Sequence, residues 1–231
     1  MKRLRALSDE WGLPPRAHDR LAVLLRFLAE QPDAPTSVTE PARAVDTHLA
    51  DSLSGLKLLR GRQLETVVDI GSGAGFPGLP IAIALPVEVD LLEATARKCA
   101  FLDRAIEAIG LENTRVVCAR AEEWGVVEGR DRYDAALVRA VAPLPTLVEY
   151  GAPLLREGGL LVAWKGQRDV VEERAAATAA QALGLRASAI TAVDPFPGAR
   201  ARHLHAFEKV GPTPAKYPRR PGVARKRPLG C

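Results

Sequence analysis

The chain has 231 residues, 47% hydrophobic and 26% charged, enough for one well-cored α/β unit with an appendage and too apolar for global disorder. No apolar run reaches the roughly 18 residues of a membrane-spanning helix, and the basic start MKRLRALSDEWGLPP lacks the apolar stretch of a secretory leader. Net charge is only +4, yet seven of the 32 basic residues and none of the 28 acidic ones follow position 208, so a slightly acidic body ends in a basic tail.

Residues 1–60 read as a helical cap. Leu21, Leu24, Leu25 and Leu28 recur at i, i+3, i+4 and i+7, the apolar stripe of a helix packed on a core. After the proline-rich break EQPDAPTSVTEP, a short helix is expected over VDTHLADSLSGLKLL.

Residues 61–211 carry the main sheet in this reading. The apolar runs TVVDIG, VEVDLLE, TRVVCAR, YDAALVRA and GLLVAWKG alternate with helical stretches, clearest in ATARKCAFLDRAIEAIG and DVVEERAAATAAQALG. Such alternation predicts a parallel sheet covered on both faces. Two further strands, RASAITAV and RHLHAFEKV, have no helix between them and should pair antiparallel. The expected fold class is therefore α/β and Rossmann-like: a mostly parallel sheet with a C-terminal antiparallel hairpin and helices on both faces. That arrangement resembles the class I methyltransferases. Residues 212–231 form a basic, proline-rich tail on what is otherwise a single structural domain.

Cys99, Cys118 and Cys231 are far apart, odd in number and without a CxxC spacing. Neither a disulfide framework nor a zinc site is expected, and a reducing, cytoplasmic setting is.

The sharpest local signal is TVVDIGSGAGFPGLP, Thr66 to Pro80, a strand running into Gly71, Gly73 and Gly75. In a doubly wound sheet the ligand sits beyond the strand ends, beside the first strand. A dinucleotide fingerprint G-x-G-x-x-G begun at Gly71 would place its third glycine at position 76, which is Phe76. Asp69, inside the strand end, is also foreign to that fingerprint. Both features favour S-adenosylmethionine (SAM), which has no pyrophosphate to cradle. Glu93 ends the second strand, where a carboxylate accepts hydrogen bonds from both ribose hydroxyls. It marks an adenosine ligand without choosing between the two cofactors. Ala121 and Glu122, after the third strand, are placed to flank the adenine.

Several further segments are similar to one family. DIGSGAGFPGLPIAI, LLEATARKCAFL, RAEEW, LVRAVAPL, GGLLVAWKG and YPRRPGVARKRPL occur in the order seen in the RsmG (GidB) family, and HLADSL resembles its upstream H-x-x-D-S-L element. The resemblance spans about Thr39 to Leu229. It implies a SAM-dependent enzyme that methylates N7 of one guanine in 16S ribosomal RNA. It also implies SAM contacts at Gly71, Phe76, Ala121, Glu122 and Arg139, beside Asp69, Gly73 and Glu93 from the strand-end argument. Arg139 is expected to contact the cofactor and orient the reactants. The chain departs from the family at Glu93, where Asp is common, and in the order Arg97-Lys98.

Guanine N7 has an in-plane lone pair and no proton. Its methylation needs positioning rather than a base, so no catalytic triad, cysteine nucleophile or metal is expected. Lys165 at the end of the fifth strand, with Tyr217, Arg219, Arg220, Arg225, Lys226 and Arg227 of the tail, is expected to contact RNA through phosphate pairing and base stacking. The tail reads as separable, so removing the residues after Val210 should leave SAM binding near normal. The expected partner is 16S rRNA or the small ribosomal subunit, with the protein cytoplasmic, monomeric and off the membrane. Two other readings stand beside this one: a ribosome-binding factor that has lost catalysis, and an NAD-linked oxidoreductase on the same sheet.

Overall fold

The computed structural model describes residues 2–230. The N-terminal cap comprises α1 (Lys2–Glu10), α2 (Ala17–Glu30), α3 (Pro41–Ala44), a π-helical turn (Val45–Ala50), α4 (Asp51–Leu53) and α5 (Leu56–Leu59). The apolar stripe of α2 is buried as its spacing requires, with Leu21, Leu24, Leu25 and Leu28 all inside. Phe27 on the same helix packs on Phe101, ring centroids 5.3 Å apart.

The short helix expected over Val45 to Leu59 is broken in two ways. Its first half is wound as the π turn, a form that recurs at functional sites. A turn at Ser54 and Gly55 then separates α4 from α5, and Gly55 leaves room for the ring of Trp164, which a Cβ there would meet. The Trp164 indole donates to the Asp51 carbonyl at 2.8 Å, fixing the cap to the sheet.

Seven strands follow: β1 (Thr66–Ile70), β2 (Glu88–Glu93), β3 (Thr114–Cys118), β4 (Tyr133–Arg139), β5 (Leu155–Lys165), β6 (Leu185–Val193) and β7 (Arg202–Lys209). They form one sheet in the order β3-β2-β1-β4-β5-β7-β6. Pairings from β3 through β5 are parallel, and β7 joins both β5 and β6 antiparallel. The sheet thus has the mostly parallel form with a terminal hairpin that the sequence predicts. Strand order reverses at β1, which places the switch point beside the glycine loop.

Helices cover both faces. Alternate strand residues point to opposite sides: Val67 and Leu91 enter the core shared with the cap and with α6 (Gly78–Ala84) and α7 (Ala96–Ile109). Val68 and Leu92 enter the core under α9 (Leu144–Gly151) and α10 (Val170–Ala182); between β3 and β4 lies the short α8 (Ala121–Trp124). Helix α7 ends at Gly110, whose φ of +70 gives the left-handed cap for which glycine is suited. Asp169 caps α10 by accepting from the Val171 and Glu172 amides.

Two expectations change here. Cys99 and Cys118 are joined as a disulfide with Cα atoms 5.9 Å apart. The β-α-β crossover carries the start of α7 over the end of β3, a proximity that a separation of 19 residues does not reveal. Cys231 lies outside the described residues. The tail, secondly, is docked along α9 and ends in α11 (Val223–Lys226), with Thr213, Tyr217 and Ala224 buried. Among the described residues no helix is long and apolar enough to cross a membrane.

Candidate active site

A cleft of about 320 Å³ opens at the C-terminal ends of β1, β2 and β4. Its floor is the start of the glycine loop. Gly71 has φ +71, and a Cβ there would stand 2.7 Å from a Val141 methyl on the opposite wall. The residue at this point must therefore be one that tolerates a positive φ and has no side chain. Gly71 and Ser72 donate their amides to the Leu92 carbonyl at 2.7 and 3.2 Å, which draws the loop onto the end of β2.

Two buried carboxylates line the cleft. Glu93 is 5% exposed; its Oε2 accepts from the Gly73 amide at 3.1 Å and its Oε1 from the Thr95 amide at 2.9 Å. Both oxygens are thus oriented by backbone while each retains a lone pair for a further donor. Glu122 is equally buried, and its Oε1 accepts from the Gly222 amide of the tail at 2.9 Å. Tyr150 and Arg225 close the same wall. Burial and the nearby Glu122 carboxylate push the Tyr150 hydroxyl up, so it stays a donor at neutral pH. Carboxylates with unused lone pairs fit a ligand that presents ribose hydroxyls and an exocyclic amine, so Glu93, Glu122 and the loop are suited to hold the adenosine half of SAM.

The expected cofactor residues divide into two groups. Gly71, Glu93, Ala121 and Glu122 line this cleft, and Gly73 orients Glu93. Asp69, Phe76 and Arg139 are not on its walls. Asp69 lies wholly buried beneath the loop, where Oδ2 accepts from the Gly78 amide at 2.9 Å and Oδ1 has no partner. It fastens the loop to α6. Burial pushes its carboxyl up to about 7.

Phe76 turns towards the cap, its ring stacked on His48 at 4.5 Å with the Arg139 guanidinium 5.6 Å from its centroid. Burial, and then the Arg139 charge, hold the His48 imidazole down at about 4. Arg139 Nη1 donates to Asp51 Oδ2 at 2.8 Å, and the pair opens on a second cavity beyond the cofactor cleft. Arg139 therefore lies on the cap side of the strand end, next to Ala140, which lines the cofactor cleft.

The residues expected to meet RNA are also spread. Lys165 is paired with Glu172 at 2.7 Å beside that second cavity. Tyr217 is buried at 9% exposure, which leaves no open ring face for a base. Arg219 forks onto Glu149, a carboxylate with no exposure at all, donating from Nε at 2.8 Å and from Nη2 at 2.5 Å. Arg220, Arg225, Lys226 and Arg227 have no acidic partner among the described residues. Sequence reasoning missed Tyr150, gave Asp51 no role beyond its place in HLADSL, and read Arg225 only as an RNA contact; Tyr150 and Arg225 carry no local signal of their position.

The mostly parallel sheet, its antiparallel hairpin and a cleft at the switch point lined by two buried carboxylates are those of a class I SAM-dependent methyltransferase fold. Solved structures agree at the level of fold. A SAM-dependent methyltransferase from Aquifex aeolicus superposes with a TM-score of 0.54 at 16% identity, over 71% of this chain and 92% of that one. MtNAS in complex with MTA and tNA gives 0.57 at 14% identity, over 81% and 69%.

The chain belongs to the GidB family, rRNA small subunit methyltransferase G, whose model matches residues 28–204. It is 45% identical to ribosomal RNA small subunit methyltransferase G of Rubrobacter xylanophilus, over 97% of this chain and 89% of that one. The protein of the same name from Chloroflexus aggregans is 40% identical over 96% and 95%. Neither the oxidoreductase nor the non-catalytic reading finds support in these relatives.

Proposed function

We propose that this protein transfers a methyl group from SAM to N7 of a guanine in 16S ribosomal RNA. The observation that carries the reading is the pair of backbone-oriented carboxylates, Glu93 and Glu122, in a cleft at the switch point of a chain of this family. SAM, when bound, supplies an electrophilic methyl group on a sulfonium.

The protein's own contribution is to hold and orient. Glu93 accepts from the ribose, Ala121 and Glu122 flank the adenine, and Tyr150 and Arg225 shut that end from water. N7 already presents a free lone pair, so no residue has to remove a proton. The gain comes from holding the two reacting atoms in line at near-attack distance. The basic residues Arg220, Lys226 and Arg227 share the docked tail with Arg225, which lines the cleft, and they are the ones to meet phosphates of the RNA. A ribosomal substrate places the enzyme in the cytoplasm.

The test is transfer of labelled methyl from SAM to small subunits isolated from a strain that lacks the enzyme, followed by mapping of 7-methylguanosine. Label in that nucleoside is expected. Label in another nucleoside, or none, overturns the reading.

A further inference from the structure

The Cys99–Cys118 link lies against the cofactor cleft, and methyl transfer makes no use of it. Cys99 is the fourth residue of α7, and Cys118 is the last residue of β3. Glu93 touches both. It is the register partner of Cys118 where β2 and β3 run parallel, and its carbonyl oxygen is 3.3 Å from Cys99 Sγ. The chain neighbours of each cysteine line the cleft: Lys98 before Cys99, and Ala119 to Glu122 after Cys118. Strand β3 is an edge of the sheet and pairs with β2. The link therefore fastens a sheet edge, and the adenine loop that follows it, to the ribose side of the cleft.

We propose that Cys99 and Cys118 form a redox site that sets the affinity for SAM. Linked, they hold the two walls of the adenosine cleft together; reduced by a dithiol, they release the adenine wall. The inference rests on SAM as the ligand of the cleft and is independent of which base receives the methyl group.

In the cytoplasm, where a ribosomal substrate places this enzyme, disulfides are as a rule transient and catalytic or redox-sensing. The fold has two apolar cores to hold the sheet, and the link spans a separation of only 19 residues, so its worth to global stability is at the lower end for such bonds. The two sulfurs also differ in access. Cys118 is exposed and Cys99 is buried, so an incoming thiolate meets Cys118. Cys99 is then the leaving group. It closes the first turn of α7 behind Arg97 and Lys98, where a helix N-terminus and positive charge favour a thiolate.

Reduction runs by exchange. A thiolate of the dithiol bonds to Cys118 Sγ, the Cys99–Cys118 bond breaks, and its electron pair goes to Cys99 Sγ, which takes up a proton. The second thiol of the dithiol then closes on the first and frees Cys118. Two electrons and two protons pass to the cysteines, and the dithiol becomes a disulfide. The Cys99 thiol so formed has the Glu93 carbonyl within reach as an acceptor, so the fold accommodates both states.

In the linked form both walls stand in place before SAM arrives. In the reduced form the ligand must order the end of β3 and the loop after it, which lowers affinity. The coupling is reciprocal. A fivefold preference for the linked form makes the pair harder to reduce, by about 21 mV at 29.6 mV per tenfold for a two-electron couple.

The experiment uses the full chain carrying Cys231→Ser, so that only this pair exchanges. The protein is equilibrated with oxidised and reduced dithiothreitol at a series of ratios, and its thiols are counted by mass after alkylation. Calorimetry then gives SAM affinity for the linked and reduced forms. Two thiols should appear together, the linked form should bind SAM about fivefold more tightly, and saturating SAM should lower the midpoint by about 21 mV. Cys118→Ser, a change at an exposed position, should bind SAM as the reduced protein does and ignore the dithiol.

A link that serves only structure would change the melting temperature and leave both SAM affinity and the midpoint unmoved, and that result overturns the proposal. So would a pair that stays open in oxidised dithiothreitol, or a Cys118→Ser variant with the affinity of the linked form. Failure of SAM to bind either form would instead overturn the cofactor assignment.

Discussion

One half-buried and one fully buried titratable group, His48 and Asp69, flank the glycine loop, and they respond to pH in opposite senses. His48 has a folded pKa of about 4 against an ordinary 6.5, because burial and Arg139 disfavour its charge. The unfolded chain binds the extra proton between those values, so this group makes stability rise with pH from about 4 to 6.5. Asp69 is the reverse, about 7 when folded against 3.8, and the folded state holds the extra proton. It makes stability fall as pH rises through the same window and on to about 7. The two slopes offset one another in the wild type, and single variants separate them. Relative to the wild type, Asp69→Asn should gain in denaturation midpoint from pH 5 to pH 7, and His48→Gln should lose. Urea titrations at both pH values check this, and parallel profiles would refute it. Asp69 and Phe76 were legible as a departure from the dinucleotide pattern, but their neighbours were not. Only the folded cap brings His48 and Arg139 against Phe76.

At the scale of elements, the tail departs furthest from its sequence reading. A run of prolines and cations reads as a detachable arm, yet it is anchored along its length, Arg130 holding the Thr213 and Tyr217 carbonyls among other contacts. The Arg219 fork holds the fully buried Glu149, the Gly222 amide holds Glu122, and Thr146 donates to the Ala224 carbonyl at 3.2 Å. Removing it would strand a buried carboxylate, a loss of about 3–5 kcal/mol for a broken buried pair. It would also open the adenine end of the cleft, where Arg225 stands. A chain ending at residue 211 should therefore bind SAM about tenfold more weakly or worse and melt several degrees lower. Calorimetry and thermal melts decide it, and unchanged SAM affinity would restore the detachable arm. The strands, the terminal hairpin and the loop were legible because apolar runs and glycine spacing are local. The tail's docking, like the Cys99–Cys118 link, depends on which surfaces the finished sheet brings together.

For the whole molecule, the question is which charges remain for a polyanion. Of the seven basic residues from Lys209 onward, two are taken by the fold. Lys209 is buried on the Ala152 carbonyl, and burial pushes its ammonium down to about 8. Arg219 is held by Glu149. Lys216, Arg220, Arg225, Lys226 and Arg227 are left without an acidic partner among the described residues. The rest of the chain is slightly acidic, so binding to RNA is expected to concentrate on these five cations, of which Arg225 lines the cofactor cleft. If four or five of them each neutralise a phosphate, log K should fall by about 3 for each tenfold rise in salt, at roughly 0.7 per contact on single-stranded RNA. Arg220 and Lys226 line neither cavity. Replacing both by Gln should reduce the slope by about 1.4 and leave SAM affinity alone. Filter binding across a salt series measures the slope. A double variant with the wild-type slope would move the RNA path off the tail and onto the cap.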